Sequence, residues 1–146
     1  MNGSVSSGIA LDLTKQSIDL GIITRDAGPM LAFYRDFLGL PLESVIPMPS
    51  GGTMHRLKVG ETVLKIVQLD RSPVADAVPG GIPAATGMRY FTFHIGNLQH
   101  VAPACEQAGY KVVVPIKTIR PGVSIAIVED PDGNWLELLQ NTSLLD

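Results

Sequence analysis

Glu137 stands in the run Trp135-Leu136-Glu137-Leu138-Leu139, a carboxylate among apolar residues. Burying an unpaired charge is costly, so a carboxylate in such a setting calls for a partner or a task. Held in a pocket, it could take a proton from a bound molecule. Lys65 lies between Leu64 and Ile66, and Asp19 between Ile18 and Leu20. Each has a plainer reading as the solvent side of an alternating strand. Turned inward, the Lys65 ammonium could stabilise an oxyanion and Asp19 could act as a base. Tyr90, Thr92 and His94 alternate through the segment from Arg89 to Ile95. Strand side chains point to opposite faces in turn. If Tyr90 faces a pocket, Thr92 and His94 join it, and Phe91, Phe93 and Ile95 pack the other way. His94 then suits acid–base work, with Tyr90 and Thr92 as ligand contacts. Tyr90 is equally well a core or rim tyrosine, and His94 a solvated strand end. His55 could reach the pocket as a further contact, with Arg56 pointing away. His100 falls on the polar face of a helix. Cys105 falls on an apolar helix face, which reads as core rather than nucleophile.

The elements that must position these residues follow a repeated order. Residues 18–24 read as a strand, Asp26 as an N-cap, and residues 27–38 as an amphipathic helix closed by Gly39. About 70 residues later the pattern returns. Residues 89–95 read as a strand rich in aromatic and β-branched residues, Asn97 as an N-cap, and a helix ends at Gly109. Three extended segments follow each helix: 40–47, 53–59 and 62–69, then 110–118, 123–129 and 135–140. Gly51-Gly52, Gly60-Glu61, Pro121-Gly122 and Pro131 to Asn134 supply the turns. The expected fold is α+β, two tandem βαβββ modules forming a cupped eight-stranded sheet. Residues 1–17 form an N-terminal extension, in which Ile9 to Leu13 could dock on the domain. One domain spans 18–141, with module one at 18–69, a Pro/Gly/Ala-rich linker at 70–88 and module two at 89–141. The linker is expected to be a surface loop able to lie over the pocket.

Composition narrows the function classes. The chain has 146 residues, 45% of them hydrophobic and 17% charged, which is a globular balance. A net charge of −3 gives no general case for nucleic acid or a lipid surface. No apolar run approaches the ~20 residues of a membrane helix. The segment MNGSVSSGIALDLTKQ lacks the basic and apolar regions of a signal peptide. A single cysteine cannot form an internal disulfide, so a reducing, cytoplasmic location is the default expectation. Neither Gly51-Gly52 nor Gly80-Gly81 has the context of a phosphate loop.

The tail EDPDGNWLELLQ at 129–140 resembles the last hairpin of vicinal-oxygen-chelate proteins, the glyoxalase, bleomycin-resistance and extradiol-dioxygenase superfamily. The segment AFYRDFLGL at 32–40 is similar to the end of their first helix. Together, in order around the duplicated pattern, they cover about residues 18–141. The resemblance implies a small-molecule site in a concave sheet, usually in a homodimer. It also implies four equivalent strand positions where relatives hold a divalent metal, a Lewis acid for two neighbouring oxygens. Carried over residue by residue, those positions are Asp19, Lys65, Tyr90 and Glu137. Glu137 is a usual ligand there and Asp19 suits a hard cation, so these two are the ligands the resemblance implies if a metal is held. Tyrosine is uncommon as a ligand, and a protonated lysine repels a dication.

The expected reading is therefore a cup without metal or other cofactor, in which Lys65 supplies the positive charge, flanked by Asp19 and Glu137 as an ion triad. That suits a lyase or isomerase with Asp19, Lys65, Glu137 and His94 as catalytic residues and Tyr90, Thr92 and His55 at the substrate. A non-catalytic binding protein of the antibiotic-resistance kind is the alternative. A divalent-metal glyoxalase- or dioxygenase-like enzyme is the second. Trp135 is expected at a sheet edge or a dimer interface.

Overall fold

Asp26 starts the first helix by accepting a hydrogen bond from the Gly28 amide at 2.9 Å, as a capping carboxylate should. The computed structural model describes residues 7–144. Strand β1 (Leu20–Thr24) leads into helix α1 (Ala27–Leu31). The helix then widens into a π turn over Ala32–Phe37, where the Leu38 amide reaches back to the Phe33 carbonyl at 2.8 Å. Neighbouring Phe33 and Tyr34, within this wider turn, are both fully buried. Strands β2 (Leu42–Pro47), β3 (Gly52–Val59) and β4 (Thr62–Leu69) complete module one. Module two repeats the order as β5 (Tyr90–His94), α2 (Leu98–Gln107), β6 (Val112–Arg120), β7 (Val123–Glu129) and β8 (Trp135–Asn141). The α+β class and the tandem βαβββ order both hold. Gly39 and Gly109, the expected helix terminators, have φ of +78° and +89°, the left-handed region that glycine adopts at low cost.

The strands form two four-stranded sheets, ordered β1-β4-β3-β2 and β5-β8-β7-β6. In each, the first and last strands of the module are parallel neighbours and the remaining pairs are antiparallel. A single core joins the helix-facing sides of both sheets. Met30, Phe33 and Tyr34 meet Leu57, Leu64 and Ile66 of the first sheet, and α2 meets Ala126, Val128, Leu136 and Leu138 of the second. Phe91, Phe93 and Ile95 pack against this core, as the alternation in β5 predicts. The opposite, outer face carries Gly21, Arg56 and Lys65 in the first sheet and Thr92 and Glu137 in the second. That assignment follows from register, because directly paired residues share a face.

Two expectations at the N-terminus change. Strand β1 begins at Leu20, so Asp19 lies one residue outside it, and Ile18 is exposed. Ile9, Leu11 and Leu13 do not dock: they are 86%, 75% and 71% exposed. Residues 70–88 contain neither helix nor strand.

Candidate functional site

Parallel pairing of β1 with β4 sets Gly21 beside Lys65. The equivalent pairing of β5 with β8 sets Thr92 beside Glu137. Each pair marks the middle of its module's outer face. In the second module the Thr92 hydroxyl donates to Glu137 Oε1 at 2.8 Å. That bond fixes the carboxylate's orientation and leaves Oε2 for a ligand. Tyr90 is paired with Trp135 and His94 with Leu139, both on the same face and both exposed. In the first module Asp19 receives Lys15 Nζ at 2.7 Å and the Val63 amide at 3.3 Å, both on Oδ1. Lys65 Nζ stands 3.8 Å from Asp19 Oδ2, an ion pair too long for a hydrogen bond. The hydrogen bond from Lys15 holds the Asp19 carboxyl below the usual carboxylate value, and Lys65 adds to the effect.

The seven residues singled out from sequence thus fall into separate groups. Asp19 and Lys65 are together, and so are Thr92 and Glu137. No hydrogen bond or ion pair joins the two groups among the described residues. The expected triad of Lys65 between Asp19 and Glu137 is therefore not made within one chain. The reason is topological: Lys65 lies in β4 of the first sheet and Glu137 in β8 of the second.

His55 is turned the other way from expectation. Its partner across the ladder is the buried Ile66, so it faces the helices, and Arg56, beside Lys65, takes the outer face. Leu57 sets this parity, since it is the strand's fully buried residue. His55 Nδ1 is enclosed with no partner among the described residues, and burial, followed by nearby Arg35, depresses the ring's pKa. The sequence reading turned Arg56 away from the pocket and passed over Lys58 and Glu43. The available signal was Leu57 itself, whose burial sends both flanking cations outward.

Trp135 donates from Nε1 to Glu129 Oε2 at 3.1 Å. The end of the linker covers its ring. Gly81 (φ +66°) sits so close that a Cβ there would fall 2.0 Å from the indole. Arg89 clamps this stretch through the carbonyls of Gly81 (2.8 Å) and Val78 (2.6 Å). A cavity of about 410 Å³ lies at the other end of β1 from Asp19, between Arg25, the linker residue Asp76 and Asn134.

A metal is poorly suited to the four carried-over positions. They offer two carboxylates, a phenol and an ammonium, and the ammonium lies against one of the carboxylates. Among the described residues no three His, Cys, Asp or Glu side chains gather to hold an ion. No described helix is long and apolar enough to cross a membrane.

The family model of the Glyoxalase/Bleomycin resistance protein/Dioxygenase superfamily matches residues 17–138. The chain belongs to this superfamily. Superfamily members bind small molecules and often dimerise. Among curated proteins, none matches the chain by sequence. Solved structures resemble it throughout. A glyoxalase family protein from Bacillus cereus is 11% identical with a TM-score of 0.77, over 92% of this chain and 98% of that one. The trypanothione-dependent glyoxalase I of Leishmania major is 18% identical with a TM-score of 0.67, over 87% of each. A glyoxalase/bleomycin resistance protein from Streptomyces sp. CB03234 is 19% identical with a TM-score of 0.61, over 83% and 96%. At these identities the likeness is one of fold.

Proposed function

We propose that the chain is a metal-independent superfamily enzyme, a lyase or isomerase acting on a small carbonyl compound. One observation carries this reading. The two modules present a lysine and a carboxylate at matching places in their ladders, beside Gly21 and Thr92. Glu137, oriented by Thr92, takes the proton next to the carbonyl. The Lys65 ammonium and the Tyr90 hydroxyl stabilise the oxyanion that develops. Asp19 holds Lys65 in place, its own Oδ1 being occupied by Lys15 and the Val63 amide. His94 is assigned the exchange of the proton with water. Because no hydrogen bond or ion pair joins the two groups among the described residues, the complete site in this reading joins the Lys65 face of one copy to the Glu137 face of a second, in a homodimer. The ammonium takes the role of the positive charge that a divalent ion would otherwise supply, and a dication beside it would be repelled.

The test is deuterium incorporation into 2-hydroxy aldehydes and 2-hydroxy ketones in D₂O, with metal content measured on the same protein. Glu137→Gln should slow exchange by about 10²- to 10⁴-fold while ligand still binds. A tightly bound divalent ion in each subunit would overturn the reading. A binding protein is the second reading, favoured by an apolar floor: Val63, Val67, Ile125 and Ile127 are buried on the outer faces. It would prevail if Lys65→Ala and Glu137→Gln lost affinity and nothing else.

A further inference from the structure

The outer face of the first sheet has more positive charge than its own carboxylates can match. Four cations, Lys15, Arg56, Lys58 and Lys65, share it with two carboxylates, Asp19 and Glu43. This excess lies in a chain whose net charge is −3, so the cations are gathered rather than spread. The ladder explains the gathering. Arg56 pairs directly with Lys65, and Lys58 with Val63. A register irregularity between Leu42 and Ser44 brings Glu43 to the same side.

The hydrogen bonding leaves donors over. Glu43 Oε1 accepts from Arg56 Nε at 2.9 Å, and the two terminal amino groups of that guanidinium have no partner among the described residues. Lys58 Nζ is 3.8 Å from Glu43 Oε2. Lys65 stands equally far from an Asp19 already engaged by Lys15. Hydrogen bonds between ammonium and carboxylate close to ~2.7–2.9 Å, so both lysines retain donors that water or a ligand must satisfy. These are not freely solvated side chains: Lys65, Arg56 and Lys58 are 29%, 23% and 35% exposed. Val63 and Val67, beneath them, are 1% and 3% exposed. Attraction between an anion and these charges is stronger there than in open water.

We infer that Arg56 and Lys58, beside Lys65, form an anion-recognition subsite that selects ligands carrying a carboxylate or phosphate on a small apolar body. This rests on the small-molecule site proposed at Lys65 and names the class of ligand that site takes. The free edge of Arg56 offers paired donors to two oxygens of the anion. The lysines add charge from either side, and the body of the ligand lies on the valines. Glu43 competes with the ligand for the same donors.

Calorimetric titration of the full chain at low salt tests this with three probes: benzoate, phenyl phosphate and neutral benzyl alcohol. At least one anion should bind saturably and about tenfold more tightly than the alcohol. The better of the two identifies the oxyanion. In the Arg56→Gln/Lys58→Gln double variant the anion should lose about tenfold in affinity. Removing cations elsewhere, with Arg71→Gln/Lys111→Gln, should leave it unchanged. Glu43→Gln should tighten binding, which a merely folding-defective variant would not do. If benzyl alcohol binds as well as the anions, or the double variant binds them unchanged, the anion subsite is wrong while the Lys65 site stands. If no probe binds but carbonyl exchange is catalysed, again only the subsite falls. Absence of both binding and exchange removes both readings.

Discussion

The two modules start their helices with the same device and present opposite charges on their outer faces. Three residues beyond Lys65, Gln68 accepts the first amide of α1 at 2.8 Å; three beyond Glu137, Gln140 accepts the first amide of α2 at 2.8 Å. Yet the outward residues themselves have opposite charge, and they keep opposite company. Lys65 sits among cations and carboxylates, Glu137 among Thr92, Tyr90 and apolar neighbours. A duplicated scaffold thus presents two unlike outer faces, which the proposed mechanism uses as its two half-sites.

The widest divergence should appear in activity, where Glu137→Gln removes turnover with ligand retained and Lys65→Ala weakens both. Next in size is the tie between the modules. Tyr34, from the first helical segment, donates to Asp130 Oδ2 at 2.7 Å, entirely buried. Asp130 also receives the amides of Asp132 and Asn134 and the Asn134 side chain, all at 2.9 Å. The corresponding turn of module one, at Gly60, is too short to provide such an anchor. Tyr34→Phe should cost about 1–3 kcal/mol, the loss of one buried hydrogen bond to a charged group, measured by urea unfolding. A loss under about 0.5 kcal/mol would show that apolar packing alone joins the modules.

A smaller contrast lies at the helix starts. Asp26 makes its capping bond, whereas Asn97 makes none with its side chain. Asp26→Ala should therefore cost about 1 kcal/mol and Asn97→Ala only a few tenths. Equal losses in urea unfolding would mean that Gln68 and Gln140 carry both starts equally.

Asn97 also shows where the sequence stops being legible. Its type and position predict a cap, but the acceptor comes from Gln140, 42 residues away and visible only once β8 lies beside β5. The element order was readable because local alternation decides it: Leu64 and Ile66 around Lys65, or Phe91 and Phe93 around Thr92, separate the faces without help. In strand β3 the single fully buried residue, Leu57, fixes the parity, so Arg56 rather than His55 takes the outer face. Asp19 lies one residue outside its strand, 3.8 Å from the Lys65 ammonium. The charge cluster of Arg56, Lys58 and Glu43 arises from pairing between strands, which residue spacing does not encode.

The smallest effect should be the most diagnostic of how the modules differ in charge. Hydrogen bonds from Lys15, Arg35 and Arg56 hold Asp19, Asp36 and Glu43 of module one below their ordinary values of 3.8, 3.8 and 4.5. Burial raises Asp130 of module two above 3.8, against the hydrogen bonds it receives. A lowered carboxyl binds fewer protons folded than unfolded. The stability it adds is present above the unfolded value and is lost as pH falls through the folded one. A raised carboxyl has the opposite sign: stability grows as pH falls through its folded value toward 3.8. Glu43→Gln should therefore flatten the loss of stability in acid, and Asp130→Asn should steepen the net loss by removing the opposing slope. The module-one pairs are solvent-screened, so their share should shrink in high salt, while that of buried Asp130 persists. Urea unfolding from about pH 3 to 7, at low and high salt, measures both slopes. Equal salt sensitivity in the two variants would mean that Asp130 is as open to water as the outer face of the first sheet, and the contrast between the modules would then reduce to the residues that touch the ligand.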